Sequence, residues 1–320
     1  MQFMFLGTAS GTPTKSRNVS GIALKKENRK EWFLIDCGEG TQHQLLRTPY
    51  SLHHLSAILI THVHGDHCFG LPGLLASAAL NGRKERLSII APENIQQLIM
   101  AVVKHCELYL SFELEFIDVS TMKTPWVSNG IMIDPFTLSH RTPSFAFRFT
   151  EQPAQKRLLH EKLKREGVAP GPTWGKLQRG EDVILDGGKI LKGNDYLEWN
   201  DKPGRIIVAG DNDTPQLLQE ACSDCDVLIH EATYTEELAK KIGVSHQHSS
   251  AARVAQFAES VQLPSLVLTH FSARYQEKQG HSPSLDDLKN EAKTYYQGNL
   301  FLANDLEQFT LDRKGVLSRD

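Results

Sequence analysis

Residues 57–67, AILITHVHGDH, join a short apolar run to four ligand-type side chains within six positions: His62, His64, Asp66 and His67. The apolar run reads as a buried strand. A turn at its end can aim His62 and His64 at one cation while Asp66 and His67 face a second. A lone histidine is usually a satisfied polar residue, but four such groups together point to a metal centre. Two ions need more ligands, and three further candidates each follow an apolar run: His140 after IDPFTL, Asp211 after RIIVAG and His270 after SLVLT. Taken singly, each is an ordinary strand-end polar residue. Taken with the first cluster, they describe a site assembled at the rigid ends of several strands. A carboxylate such as Asp211 can bridge two ions, and a set of imidazoles and carboxylates suits zinc or manganese, zinc being favoured on ligand type.

The remaining pattern fits such a scaffold. FMFLG, GIAL, WFLID, LSII, ELEFIDV, IMIDPFTL and FAFRF read as strands, with helical spacing in GLPGLLASAAL and PENIQQLIMAVVKH. The second half repeats the grammar: RIIVAGD, DVLIHEAT, SLVLTH and NLFLAND are strands, and TPQLLQEAC, SSAARVAQFAES and SLDDLKNEAKTYY are helices. This predicts an α/β (α+β) chain, two sheets packed face to face with helices outside, as a single domain over 1–320. Residues from about 151 to 200 break the pattern with a charged helix-like stretch, QKRLLHEKLKREG, then APGPTWG and a Gly-rich polar tract. Between 151 and 180 there are seven Lys/Arg against three Asp/Glu, a net of +4. That segment is either a solvated helix and loop or an inserted arm that grips a polyanion.

Bulk properties narrow the class. A net charge of -3 argues against a uniformly basic nucleic-acid binder but leaves room for a local basic patch. No run approaches the ~20 apolar residues that span a bilayer, and MQFMFLGTASGTP lacks the form of a signal peptide. Five cysteines, an odd number with no zinc-finger spacing, suit a reduced, cytoplasmic protein. The Cys222/Cys225 pair in CSDC reads as two unrelated thiols rather than a redox pair.

The set His-x-His-x-Asp-His, followed by distant His, Asp and His, resembles the signature of the metallo-β-lactamase superfamily. The resemblance implies an αββα sandwich holding two zinc ions through His62, His64, Asp66, His67, His140, Asp211 and His270. It also implies a metal-bridging hydroxide as nucleophile, oriented by Asp66, which accepts its proton. Further motifs are similar to those of ribonuclease Z, the endoribonuclease that trims tRNA 3′ ends: FLGTASGTPTKSRNVS, LIDCGEGTQHQL, HGDHCFGLPGLL, VLIHEATY and LTHFSARY, in that order from Gln2 to about Tyr275. By that resemblance the chain removes the 3′ trailer from precursor tRNA, leaving a tRNA 3′-hydroxyl and a trailer 5′-phosphate. A flexible arm, with APGPTWG as its Gly-Pro turn, holds the tRNA body, often in a homodimer.

Individual residues then acquire expected roles. Lys15, Arg17 and Asn18 lie in a Gly/Pro loop and can contact phosphate or the RNA 3′ end. Arg274 can hold the scissile phosphate bidentately. Glu231 can orient a histidine in SHQHSSAA that protonates the leaving oxygen. His246 and His248 both qualify on position, and the family's His-Ser-(Ser/Thr) wording matches His248. For each the bland reading is a surface turn, a salt bridge or a solvated side chain. Two departures stand out: Asn212 replaces the threonine that the family places after the bridging aspartate, and His140 is followed by Arg141, Thr142 and Pro143 where the family is more apolar. The tail after Asn304 carries no usable motif. Two rival readings are another hydrolase of this fold, a small phosphodiesterase or an arylsulfatase-like enzyme, and a non-enzymatic RNA binder.

Overall fold

The computed structural model describes residues 1–152, 156–185, 187–199, 203–276 and 282–320. Two compact units are formed, one by Met1–Glu151 with Gly204–Asp320 and one by Gln152–Pro203.

Among the described residues the larger unit contains two large sheets and a small parallel pair, Ala9–Ser10 with Phe271–Ser272. The first has eight strands, in the order Leu317–Arg319, Gln308–Leu311, Gln2–Gly7, Gly21–Lys25, Trp32–Ile35, Leu55–Leu59, Leu87–Ala91 and Leu114–Asp118. The second has seven: Asn299–Leu302, Ser265–Thr269, Val227–Glu231, Arg205–Ala209, Ser144–Glu151, Ile131–Leu138 and Trp126–Ser128. Period-two alternation decides what each strand buries. Phe3, Phe5, Phe33 and Ile35 of the first sheet meet Ile133, Phe147, Phe149, Ile206 and Val208 of the second in one cluster. Full burial of each such side chain contributes about 1.5–3 kcal/mol. The alternate residues of the first sheet, among them Leu34, Ile58 and Ile89, pack under the helices Leu71–Leu80 and Glu93–His105. Those of the second, Ile207, Leu228 and Leu266, pack under Ala251–Ser260 and Leu285–Tyr295. Strands buried on both faces are mostly apolar, which is why WFLI, AIL and VLI read as continuous runs. The result is an αββα sandwich.

In each sheet a block of strands runs parallel, from Trp32–Ile35 to Leu114–Asp118 and from Arg205–Ala209 to Asn299–Leu302. Parallel strands end at one edge, where open α/β sheets place ligands. The tail after Asn304, silent in sequence, supplies the antiparallel pair Gln308–Leu311 and Leu317–Arg319 beside the first strand.

The smaller unit has its own core, including Leu158, Leu163, Leu177, Leu191 and Tyr196. Its sequence reading needs correction. QKRLLHEKLKREG is not one helix: Lys156–Leu158 pairs as a strand with Leu197–Trp199, and only His160–Arg165 is helical, because Leu158 and Leu163 both turn into this core. Within APGPTWG, Pro172 opens a helix, Pro172–Gln178, where its missing N–H costs nothing. Residues 153–155, 186 and 200, part of the expected 151–200 insertion, lie outside the described residues. The charge reading also shifts. From 152 to 203 there are ten Lys/Arg and eight Asp/Glu, so the excess is +2. Several of the cations are paired on the spot, Arg179 with Glu181 at 2.6 Å and Lys189 with Glu166 at 3.1 Å.

In the larger unit TPQLLQEAC is a 3-10 turn, Pro215–Leu218, followed by the helical turn Gln219–Cys222. Cys222 and Cys225 are buried free thiols. Burial pushes Cys222 up to about 12 and Cys225 higher still, which keeps both protonated. Among the described residues no helix is long and apolar enough to cross a membrane.

Candidate metal centre

The converging strand ends bring His62, His64, Asp66, His67, His140, Asp211 and His270 together. They fall into two groups joined by Asp211. In the first, His64 Nδ1 is 3.1 Å from both His62 Nε2 and His140 Nε2, and Asp211 Oδ2 is 3.5 Å from His62 Nε2 and 3.6 Å from His140 Nε2. In the second, His270 Nε2 is 3.3 Å from both His67 Nε2 and Asp66 Oδ2, with Asp66 Oδ2 3.5 Å from His67 Nε2. Asp211 Oδ1 lies 3.4 Å from His67 Nε2 and from His270 Nε2. A tetrahedral ion with bonds of about 2.0–2.1 Å separates its ligand atoms by about 3.3 Å. The spacing in both groups therefore fits a small tetrahedral cation, and Asp211 offers one oxygen to each.

Electrostatics agree. Burial holds His62, His64 and His140 below their ordinary values, so they are neutral imidazoles with a lone pair to give. Burial also opposes charge on His67, but Asp211, Asp36 and Asp66 outweigh it and keep that ring protonated well above its usual range. A cation can take the place of that proton.

For His62, His67, His140 and His270 the ring nitrogen that faces away from the donor groups is also satisfied, which fixes the tautomer of each. His67 Nδ1–H donates to Asp36 at 2.7 Å. His62 Nδ1–H donates to Thr61 Oγ1 at 3.0 Å, and Thr61 Oγ1–H donates to Asp36 at 2.9 Å. On the other side His270 Nδ1–H donates to Thr233 Oγ1 at 3.0 Å, and Thr233 passes its hydroxyl proton toward Glu231. His140 Nδ1–H is held by Gln247 O at 2.9 Å. Two His–Thr–carboxylate relays thus brace the centre. Asp36 and His270 both adopt left-handed backbone, φ 57° and 59°, a strain met most often where function fixes a side chain. Gly210 is required where the strand end closes on Thr61, since a Cβ there would lie 2.6 Å from Thr61 Cβ.

Asp36, Thr61 and Thr233 were not singled out by sequence. Asp36 carried a signal, because it ends the apolar run WFLI as the ligands end theirs. Asp36→Asn is expected to weaken metal affinity by roughly 10- to 100-fold while the fold persists. Competition with a zinc chelator measures this, and unchanged affinity would remove Asp36 from the centre.

Glu231 and His248 pair beside the donor groups. His248 Nδ1 lies 3.0 Å from both Glu231 carboxylate oxygens and 3.8 Å from Asp211 Oδ2. Burial disfavours charge on His248, but Glu231 outweighs it and lifts the imidazole to about 9. His246 is exposed and shows no such partner. Asn212, in place of the family threonine, has a defined part. Its N–H donates to Glu231 at 2.9 Å, and its Oδ1 accepts from Ser139 N and Thr214 N at 3.2 Å. Its Nδ2 donates to His230 Nε2 at 3.0 Å, and His230, fully buried, donates from Nδ1 to Glu231 O. The segment before His140 is thereby tied to the Glu231 strand. His230 was not foreseen, because it reads as one more strand residue.

The 11–18 loop meets the centre through Gly11 N–H, which donates to Asp66 at 2.7 Å. Arg17 requires correction as an RNA contact. It is 6% exposed, donates to Thr8 Oγ1, Ala303 O and Asn304 Oδ1, and lies over Phe271 at 5.2 Å. Its charge is spent inside the protein, holding the loop. Asn18 is half-buried, and its N–H donates to Asp305 at 2.6 Å. Asp305 also accepts from Thr8 and Gln44, so the tail that carried no motif anchors this loop. Lys15 and Arg274 are exposed.

Residues 1–151 match a family described as anti-Pycsar protein Apyc1. Over nearly the whole chain, a ribonuclease Z of Marinobacter nauticus is 51% identical across 313 residues, 98% of this chain and 97% of that protein. The crystal structure of human tRNase Z, short form, superposes with a TM-score of 0.65 at 25% identity, covering 98% of this chain and 100% of that one. The metallo-β-lactamase fold protein YhfI of Bacillus subtilis superposes with a TM-score of 0.66 at 17% identity, covering 96% and 98%. The fold is therefore that of the metallo-β-lactamases, and on identity over almost its full length the chain belongs to the ribonuclease Z family.

Proposed function

We propose that this endoribonuclease removes the 3′ trailer from precursor tRNA, in the cytoplasm and as a homodimer, with two zinc ions held by His62, His64, His140 and Asp211 on one side and by Asp66, His67, His270 and Asp211 on the other. The observation that carries the reading is the pair of donor groups at tetrahedral spacing, linked by the two oxygens of one carboxylate. Zinc held by these residues would supply an activated water and charge neutralisation at the phosphodiester. The chain's own groups do the rest. Asp66, which accepts a hydrogen bond from Gly11 N–H, takes the proton of the attacking water. His248, kept protonated by Glu231, gives a proton to the 3′ oxygen that leaves, producing a tRNA 3′-hydroxyl and a trailer 5′-phosphate. Arg274 and Lys15, both exposed, are available to the phosphate backbone. Sedimentation checks the homodimer.

The deciding experiment is incubation of the zinc-loaded protein with labelled precursor tRNA, with and without chelator, and mapping of both new ends. One cut with a 3′-hydroxyl upstream is expected, lost with chelator and restored by zinc. His248→Ala should lower kcat roughly 10²- to 10⁴-fold with metal content unchanged. Absence of cleavage, or ready hydrolysis of small phosphodiesters alone, would refute the tRNA reading.

A further inference from the structure

Phe69 is 65% exposed, yet it ends the helical turn Gly65–Cys68 that carries Asp66 and His67. Its amide donates to Gly65 O at 2.8 Å and closes that turn. Its ring lies against Gly65, where a Cβ would come within 2.3 Å of a ring carbon. Gly65 separates His64 from Asp66, so one flank of the ring is seated on the backbone between ligands of both donor groups. Nothing in the sandwich core claims the rest of it: its neighbours Cys68 and Leu71 are wholly buried, whereas Phe69 is not. A large apolar ring left open beside a site that handles a polyanion asks for a partner that is both apolar in face and attached to phosphate.

We propose that Phe69 is a stacking platform for a nucleobase that flanks the scissile phosphate. The inference rests on the precursor tRNA reading and adds a base contact to it. When the phosphodiester sits at the donor groups, the two bases beside it hang from the same backbone, within one nucleotide of the turn that bears the ring. Unpaired RNA ends are held by stacking on aromatic faces, and every base has such a face. A platform of this kind tolerates sequence, as an enzyme acting on many trailers requires. Because the ring is already seated on Gly65, little side-chain freedom is lost when a base stacks on it.

The test is steady-state kinetics of zinc-loaded wild type, Phe69→Ala and Phe69→Trp on three labelled precursor tRNAs: intact, abasic just upstream of the cut and abasic just downstream. Phe69→Ala should raise KM roughly 5- to 100-fold, the effect of losing one base–aromatic stack, with kcat and zinc content little changed. Phe69→Trp should restore KM. On one of the abasic substrates wild type should already show the raised KM, and Phe69→Ala should add nothing to it, since removing both partners of one contact is not additive. An unchanged KM, or a penalty of equal size on all three substrates, would overturn the platform. So would a loss that tracks conversion of dimer to monomer in sedimentation, which would make Phe69 a subunit contact. If wild type cuts none of the substrates, the tRNA reading fails first and this inference falls with it.

Discussion

Asp211→Ala is expected to lower phosphodiester cleavage by roughly 10³-fold or more and to leave less metal tightly held per chain than wild type, because each metal ion held there would take several kcal/mol off the barrier. Asp211 is 3% exposed, and its two oxygens face different donor groups. His62, His64 and His140 serve only the first of these groups, and Asp66 and His67 only the second. His64→Ala should therefore weaken the first group and spare the second, whereas Asp211→Ala damages both. Asp211→Asn separates charge from shape. It keeps an oxygen for one group, offers an amide to the other, and should fall between wild type and Asp211→Ala. The fold should survive each change, since Asp211 follows the strand Arg205–Ala209 and its side chain belongs to none of the apolar clusters. Metal content by mass spectrometry under native conditions, with circular dichroism as a control, reads all three variants. Two zinc ions retained by Asp211→Ala would end the bridging assignment.

Much of this centre could be read from sequence because its ligands follow a rule that sequence displays. A buried parallel strand is apolar on both faces, so the first polar residue after it marks the strand's end and the sheet's working edge. Asp211 and Asp36 appear in that position, and His62 and His270 follow one residue later, after Thr61 and Thr269. Asp36 went unassigned because one carboxylate after one strand does not reveal that His67, thirty-one positions on, will donate to it. Arg17 misled for the converse reason. Its loop looks solvated until Ala303 and Asn304, at the far end of the chain, close over the guanidinium. Asn212 in place of threonine was visible as a departure, but its meaning lay in Ser139, Thr214 and His230, none of them linked to it by spacing. In the smaller unit the charged run QKRLLHEKLKREG imitates a helix, and only the need to bury both Leu158 and Leu163 divides it into strand and helix. Local pattern thus located what each strand end offers. Long-range partners decided what each offer is used for.

The smaller unit gives the second large effect. Among the described residues, none from 152–203 belongs to the buried clusters of the sandwich. At the excision point Glu151 N–H donates to Gly204 O at 2.9 Å, so the two cut ends are already paired. Joining them with a short Gly-Ser bridge should leave the sandwich folded and the donor groups intact. We expect this deletion to lower kcat/KM on precursor tRNA roughly 10²-fold, the range gained when a second tethered contact acts on the same ligand. Hydrolysis of a small phosphodiester should change less than about twofold, because the chemistry at the metal centre does not use the unit. Salt dependence refines the expectation. Each phosphate neutralised contributes about -0.9 to the slope of log K against log salt. With an excess of only +2 over 152–203, and with Arg179 and Lys189 already held by carboxylates, the deletion should shallow that slope by about 2 rather than by the count of its basic residues. A larger change would mean that RNA displaces the internal ion pairs. Equal loss on both substrates, or loss on neither, would show that the unit does not hold RNA.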